Sequence, residues 1–315
     1  MSNEITSKSE ILFLFDIENA NPNGDPLNEN RPRFDPETGT ALVSDVRLKR
    51  TIRDYWFEYK GYNGTVDKDI FVRELQYSDG DKSFIQDGKR RAGNFDNNAE
   101  TIINKCIDIR IFGGVIPLKD SSITYTGPVQ FQMGRSLNKV EIITEQGTGA
   151  FASADKKQQA SFRTEYKLPY ALIGFNGVVN DKSAAKSKMT VEDKNELIEG
   201  IWEGTKNLIS RSKFGQKPIF LLVIDYKDSF YSGGLRQKLD LISEINQESI
   251  RSIKDYKIDI TELINDLLKV KDKITSVYIN IDINLRLNYN GSDLTLNSGV
   301  YNNFDDLLQK NNVKL

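Results

Sequence analysis

Two near-continuous apolar runs, ILFLFDIE at residues 11–18 and PIFLLVIDY ending at Tyr226, constrain this chain most. Runs this short, bounded by polar and turn-forming residues, read as buried strands. Residues 276–285 alternate strictly, with Val277, Ile279, Ile281, Ile283 and Leu285 apolar, which is the pattern of a half-buried strand. Further strands are expected near residues 69–76 and over 123–133 and 168–179. Helical spacing puts Leu48, Ile52, Tyr55 and Tyr59 on one face of a helix that Ser44 or Asp45 would cap. A second helix, residues 190–212, would bury Leu197, Ile198, Ile201, Trp202, Leu208 and Ile209, with Thr190 and Asp193 as a capping box. Residues 97–107 and 259–270 also read as helical, and 294–315 as a peripheral tail with a short helix. Gly113-Gly114 reads as a tight turn.

Strand, helix, hairpin, helix, strand, in that order, predicts an α+β chain of the elaborated ferredoxin-like kind. Helices would cover one face of an antiparallel sheet and leave the other face, with the inserted loops, open to a ligand. Two polar stretches, around KSFIQDGKRRAGNF and over residues 134–163, read as excursions from that core.

The chain has one cysteine, Cys106, and no histidine. An internal disulfide, a Cys/His zinc site, the Ser-His-Asp and Cys-His triads and histidine acid–base catalysis are therefore excluded. Cys106 lies in an apolar pattern, TIINKCIDI, and is expected to be a small core residue. No apolar run approaches the length of a membrane span. The first residues, MSNEITSKSE, lack the layout of a signal peptide, so a cytoplasmic protein is expected. No cofactor is expected.

Net charge is −2, so any polyanion would have to be held by a local cluster of bases. One candidate is the start of the first helix. Arg47, Lys49, Arg50 and Arg53 follow Ser44 there, and Asp45 and Asp54 are the nearest offsetting acids. Free N–H groups, the positive end of the dipole, a hydroxyl and four cations make a phosphate clamp; an ordinary solvated helix face would look the same. A second candidate is the stretch from 19 to 35, where Asn21 and Asn23 could contact RNA and Arg31 and Arg33 its phosphates. Asp16, Glu18, Asp25, Glu29 and Asp35 offer a rival metal site there, though their spacing is not that of a calcium loop. The tract GPVQFQMGRSL, with Arg135, reads equally as a phosphate contact or as a plain strand and turn. The consensus for stacking bases on a sheet is missing, which favours a grip on the backbone.

The runs FDIENANPNGDPLNENRPRFDPETG, SDVRLKRTIRDYW, IRIFGGV, GPVQFQMGRSLNKV and EYKLPYALIGFNGVVN occur in that order. Together they resemble the Cas-seven family, the backbone subunit of type I CRISPR Cascade complexes, and are most similar to subtype I-B. The resemblance implies an RRM-like palm (residues 1–59, 106–133 and 167–290), fingers (60–105), a thumb (134–166) and a C-terminal tail (291–315). It implies a non-enzymatic subunit that oligomerises head to tail along a CRISPR guide RNA. The partners implied are that RNA, target DNA through it, further copies and other Cascade subunits. RNA contacts would fall on Ser44, Lys49 and Arg53, then Arg47 and Arg50, and near Gly113, Gly114 and Val115. The alternative within the same superfamily is a type III-like subunit that cuts RNA with a loop carboxylate and a divalent metal.

Overall fold

The computed structural model describes residues 4–117, 121–152 and 160–313. One large antiparallel sheet organises the chain. In chain order its strands are β1 (Lys8–Ala20), β2 (Phe34–Asp35), β3 (Thr40–Val43), β4 (Val129–Phe131), β5 (Gly134–Ser136), β6 (Ile143–Ala152), β7 (Ala160–Val179), β8 (Gln216–Tyr226), β9 (Ile274–Ile281) and β10 (Gly299–Tyr301). Their order across the sheet is β10-β9-β8-β1-β7-β5-β3-β2, and β4 and β6 also pair with β7. β1 is central: Phe13 lies opposite Phe175 of β7 and opposite Leu221 of β8.

The helices α1 (Asp45–Tyr59) and α2 (Val191–Lys206) pack on one face of this sheet. Ile11, Phe13, Phe15 and Ile17 meet Leu48, Ile52, Trp56, Leu197 and Ile201 there. α2 starts on a true capping box, Thr190 with Asp193. Arg110 clamps the Asp193 carboxylate through two bonds of 2.8 Å, locking that helix start to the segment Ile107–Phe112.

The second face is not open, contrary to expectation. Leu12, Leu14, Leu222 and Ile224 point into it and meet Ile258, Leu307 and the face Leu263, Ile264 and Leu267 of α3 (Thr261–Lys269). A strand apolar at consecutive positions has two faces to bury, and the C-terminal third covers the second. The tail is accordingly not peripheral, since β10 pairs with β9 and Phe304 and Leu307 are core residues. A third, smaller cluster, with Phe71, Ile102, Ile103, Cys106, Ile109 and Ile116, holds the first excursion together, and Cys106 is fully buried in it.

Other departures have local causes. Of residues 69–76 only Gln76 belongs to a strand, beyond a bridge from Asp69 to Cys106. The strands there are Gln76–Asp79 and Lys82–Ile85, joined across Gly80 at φ +60° with Tyr77 stacked on Phe84. The expected strand over 123–133 is broken at Gly127-Pro128 into Ser122–Thr126 and β4. Gly113, at φ +69°, opens a strand, Gly113–Pro117, rather than a simple turn. α2 stops at Lys206, where Asn207 folds its amide back onto the Glu203 carbonyl, and Ile209 is left 69% exposed. β9 stops at Ile281, because Asp282 accepts from the Asn284 N–H in a turn, and Ile283 is exposed. Tyr59 is also exposed; Thr51 and Trp56 complete the buried face of α1 instead. Gly134–Ser136, at the start of the second excursion, belongs to the main sheet, and residues 153–159 of that excursion lie outside the described residues.

Where β1 passes the C-terminal layer, the buried Asp16 carboxylate accepts from the Tyr170 hydroxyl at 3.0 Å, which meets the Tyr256 hydroxyl at 2.8 Å. Burial pushes the Asp16 carboxyl up to about 7, against the opposing pull of Tyr170 and Lys217. Because the folded value exceeds the unfolded one, the contribution of Asp16 to stability is fully present below about pH 4 and is lost as pH rises through 7. Asp16→Asn is therefore expected to raise stability at pH 8 by about 1–3 kcal/mol. Thermal melts at pH 8 and pH 5 check this, the advantage shrinking at the lower pH.

Candidate nucleic-acid interface

The chain leaves β1 at Ala20 and returns to the sheet at Phe34 through a two-strand excursion, Gly24–Asp25 paired with Arg31–Pro32. Asn21 fixes its start: the side chain donates to the Asn30 carbonyl at 2.7 Å, and the backbone N–H donates to the Ser212 carbonyl at 2.8 Å. Asn23 then reaches the helix. Its Oδ1 accepts from the Ser44 N–H at 2.7 Å, while its carbonyl accepts from the Arg33 N–H at 3.0 Å. Ser44 is the N-cap of α1, accepting from the Arg47 N–H at 3.2 Å. Asn21, Asn23, Arg33, Ser44 and Arg47 thus form one connected patch at the beginning of a four-turn helix.

The four cations of α1 are not a free row. Lys49 pairs with Asp45 at 3.0 Å and touches Gln130 of β4 at 3.5 Å. Arg50 pairs with Asp54 at 2.6 Å, and Arg47 bonds the Thr51 hydroxyl at 3.0 Å with Asp54 farther off at 3.8 Å. Arg53 departs furthest from the sequence reading, because its partner is Asp108, a fully buried carboxylate 2.9 Å away. Asp108 also accepts from the Phe71 and Val72 N–H groups at 2.8 and 3.0 Å. Lys49 and Arg53 both lie over the Phe112 ring, which places Gly113, the next residue, beside this flank of α1. Val115 is exposed and shares a cleft with Arg50 and Arg73.

Two expected residues lie apart from this patch. Arg135 is held by Asp35 at 2.9 Å on the β5 side of the sheet. Arg31 stacks 4.4 Å over the Tyr166 ring and is bonded to Glu29 at 3.1 Å. The acids proposed for a metal are likewise dispersed: Asp25 faces Arg33, Glu29 faces Arg31 and Tyr166, Asp35 faces Arg135, and Asp16 is buried against Tyr170. Among the described residues, no group of three potential ligands gathers.

Sequence reasoning missed Lys213. Its ammonium donates to the Asn21 carbonyl at 2.5 Å, and burial pushes it down to about 8, with the charge of Arg47 adding to the effect. The clustered bases of SRSKFGQK were the available signal. Burial also lowers the Arg47 guanidinium, and within the patch the Nε atoms of Arg33 and Arg47 are buried without an acceptor. The patch therefore holds more donors and positive charge than its own carboxylates satisfy, which suits an anion.

The profile of the family described as CRISPR-associated protein Cas7 matches residues 7–261. The chain belongs to the Cas7 family. A Cas7 from Haloferax volcanii, described as CRISPR-associated protein Cas7, is 32% identical over 309 residues, covering 89% of this chain and 88% of that one. Among solved structures, a chain of a CRISPR RNA-guided surveillance complex in a pre-nicking state superposes with a TM-score of 0.52 at 11% identity, over 84% of this chain and 89% of that chain. At that identity the likeness speaks for the fold. This Cas7 family member thus gathers Arg33, Arg47 and Lys213, with buried donors that lack acceptors, around the start of the first helix and the end of the first strand.

The Asp108 pair separates cations that hold the fold from those that face outward. Asp108→Ala strips a buried charge of its partner and two N–H groups of their acceptor, and is expected to cost about 3–5 kcal/mol. Asp54→Ala, on the exposed side, is expected to cost less than about 1 kcal/mol. Urea unfolding midpoints measure both.

Proposed function

We propose that this chain is a CRISPR RNA-binding backbone subunit of a type I effector complex, of the I-B kind, working in the cytoplasm. Copies would line up head to tail along one guide RNA and present it for pairing with target DNA, alongside other Cascade subunits. Family membership supports the CRISPR assignment. The observation that carries the RNA reading is the patch at the start of α1, where the charge of Arg47 bears on the partly buried Lys213 and the Nε atoms of Arg33 and Arg47 are buried without an acceptor. Such a patch grips ribose-phosphate through charge and amides without reading bases.

The strand order β8-β1-β7-β5, with α1 and α2 side by side on one face, supports an RRM-like palm. Residues 60–105, whose Phe71, Phe95, Ile102 and Ile103 share a small core with Cys106, Ile109 and Ile116, would be the fingers. The β6–β7 hairpin, extending beyond the sheet, would be the thumb (134–166), and 291–315 the tail. Ser44 would act through its hydroxyl and cap, Lys49 through its partly covered ammonium beside Asp45 and Gln130, Arg50 as an outward cation, and Gly113, Gly114 and Val115 as a close-approach edge. Arg53 would touch RNA only while held by Asp108. Asn21 and Asn23 would hold the loop that carries Arg31 and Arg33, and Arg135 would meet the strand farther along. Head-to-tail contact builds an open helix, and many weak phosphate contacts multiply along one strand. A net charge near zero keeps the rest of the surface from collecting other polyanions.

Coexpression with a CRISPR array and the sister subunits tests the proposal. The protein is expected to copurify with RNA, and Arg47→Ala with Lys49→Ala to lower retention about equally for unrelated guides. Sequence-selective loss would contradict a backbone grip. Binding without cleavage is checked separately, by incubating the assembly with complementary RNA and magnesium. The RNA is expected to stay intact, and regularly spaced cuts would favour the carboxylate-dependent nuclease instead.

A further inference from the structure

The connection from α2 to β8, residues 207–215, is fastened to the end of β1. The Glu18 N–H donates to the Gly215 carbonyl at 3.0 Å, and Asn21 N–H to the Ser212 carbonyl at 2.8 Å. Gly215 has φ +105°, and a Cβ on it would lie 2.3 Å from the Glu18 carbonyl oxygen, so the two backbones touch with no room for a side chain. Between these two anchors stands Lys213.

Its surroundings are unusual for a lysine. It is mostly buried, its bonded partner is a backbone carbonyl, and the charged group that bears on it is another cation, Arg47 of α1. The nearest acid to Arg47, Asp54, lies toward the next turn of the helix at 3.8 Å. Arg47 Nε and Arg33 Nε are buried with no acceptor, and the carbonyl oxygen of the Asn21 side chain, 3% exposed, is unpartnered as well. Two partly buried cations near enough for one to feel the other's charge repel, and burial costs each hydration. A phosphodiester between them offsets both penalties; the chain's own carboxylates answer Arg47 only through Asp54 at 3.8 Å, and among the described residues none pairs with Lys213.

We infer that Lys213 and Arg47 form a two-sided seat for one phosphodiester of the bound RNA, the 207–215 connection supplying one side and the start of α1 the other. The inference rests on the RNA-binding reading above. It adds a contact from a segment that the first helix and its preceding loop do not include. It also gives the grip a proton dependence. Below about pH 8 Lys213 is charged in the free protein; above it, binding must first restore the proton. Arg47 from α1 stays charged throughout, and the Asn21 carbonyl from the loop does not titrate.

The test uses the full chain and two unrelated single-stranded RNA oligonucleotides, with binding followed by fluorescence anisotropy over a range of salt. Lys213→Ala is expected to weaken both RNAs several-fold and to reduce the slope of log affinity against log salt by about 0.7, the value for one phosphate contact on a single strand. Lys213→Arg restores both. Wild-type affinity is expected to fall from pH 7 to pH 9.5, whereas Lys213→Arg stays flat, a readout that remains if the alanine variant fails to fold. If Lys213→Ala binds like wild type while Lys49→Ala is weakened, the seat is overturned and RNA binding at the start of α1 stands. If neither substitution changes affinity or slope, that RNA-binding reading itself fails. Inorganic phosphate raising the melting temperature of wild type but not of Lys213→Ala, with RNA affinity equal in the two, would mean a small-anion site and would also overturn the inference.

Discussion

Everything in this molecule is arranged around a strand that is apolar on both sides. β1 sends Phe13 and Phe15 toward the two long helices, and Leu12 and Leu14 toward the C-terminal layer. Neither face can be left wet without exposing a row of large side chains to water. The N-terminal two thirds and the C-terminal third are therefore bound to the same element from opposite sides. Between them sits the Asp16–Tyr170–Tyr256 chain of hydrogen bonds, a polar thread through an otherwise apolar layer.

The candidate interface inherits its rigidity from that strand. Glu18 and Asn21 at and just past its end anchor the 207–215 connection, and Asn21 and Asn23 carry the chain onward to Ser44. The cations consequently hang from three segments, with the loop bonded to the helix start through the Asn23 side chain and to the connection through the Asn21 backbone. A flexible tail could carry as many charges but would lose far more side-chain and backbone freedom on gripping a ligand.

Local signals were legible in the sequence. Ser44 as the cap of α1, the Thr190–Asp193 capping box and the burial of Cys106 follow from a few neighbouring residues. What escaped depends on partners distant in the chain. The covered second face could not be seen in β1 alone, because an apolar run does not say what lies across from it. Arg53 looked like a solvent-facing cation until Asp108, far along the sequence, proved to be its partner. Lys213 stands out only once the loop ends are brought to Asn21. Residues 281–285 show the converse failure, where alternation continues but the Asp282 turn ends the strand.

Gly113 and Gly127 approach so closely that a Cβ on the first would lie 2.3 Å from the nitrogen of the second, and a Cβ on the second 2.1 Å from the Phe112 carbonyl carbon. The two segments are joined by a seam one backbone thick. Phe112, under Lys49 and Arg53, forms part of it. No side chain can be inserted there to tune spacing, so adaptation to a different strand must work through the outer residues. The seam acts as a fixed gauge that sets how far the helix stands from the strand pair beside it.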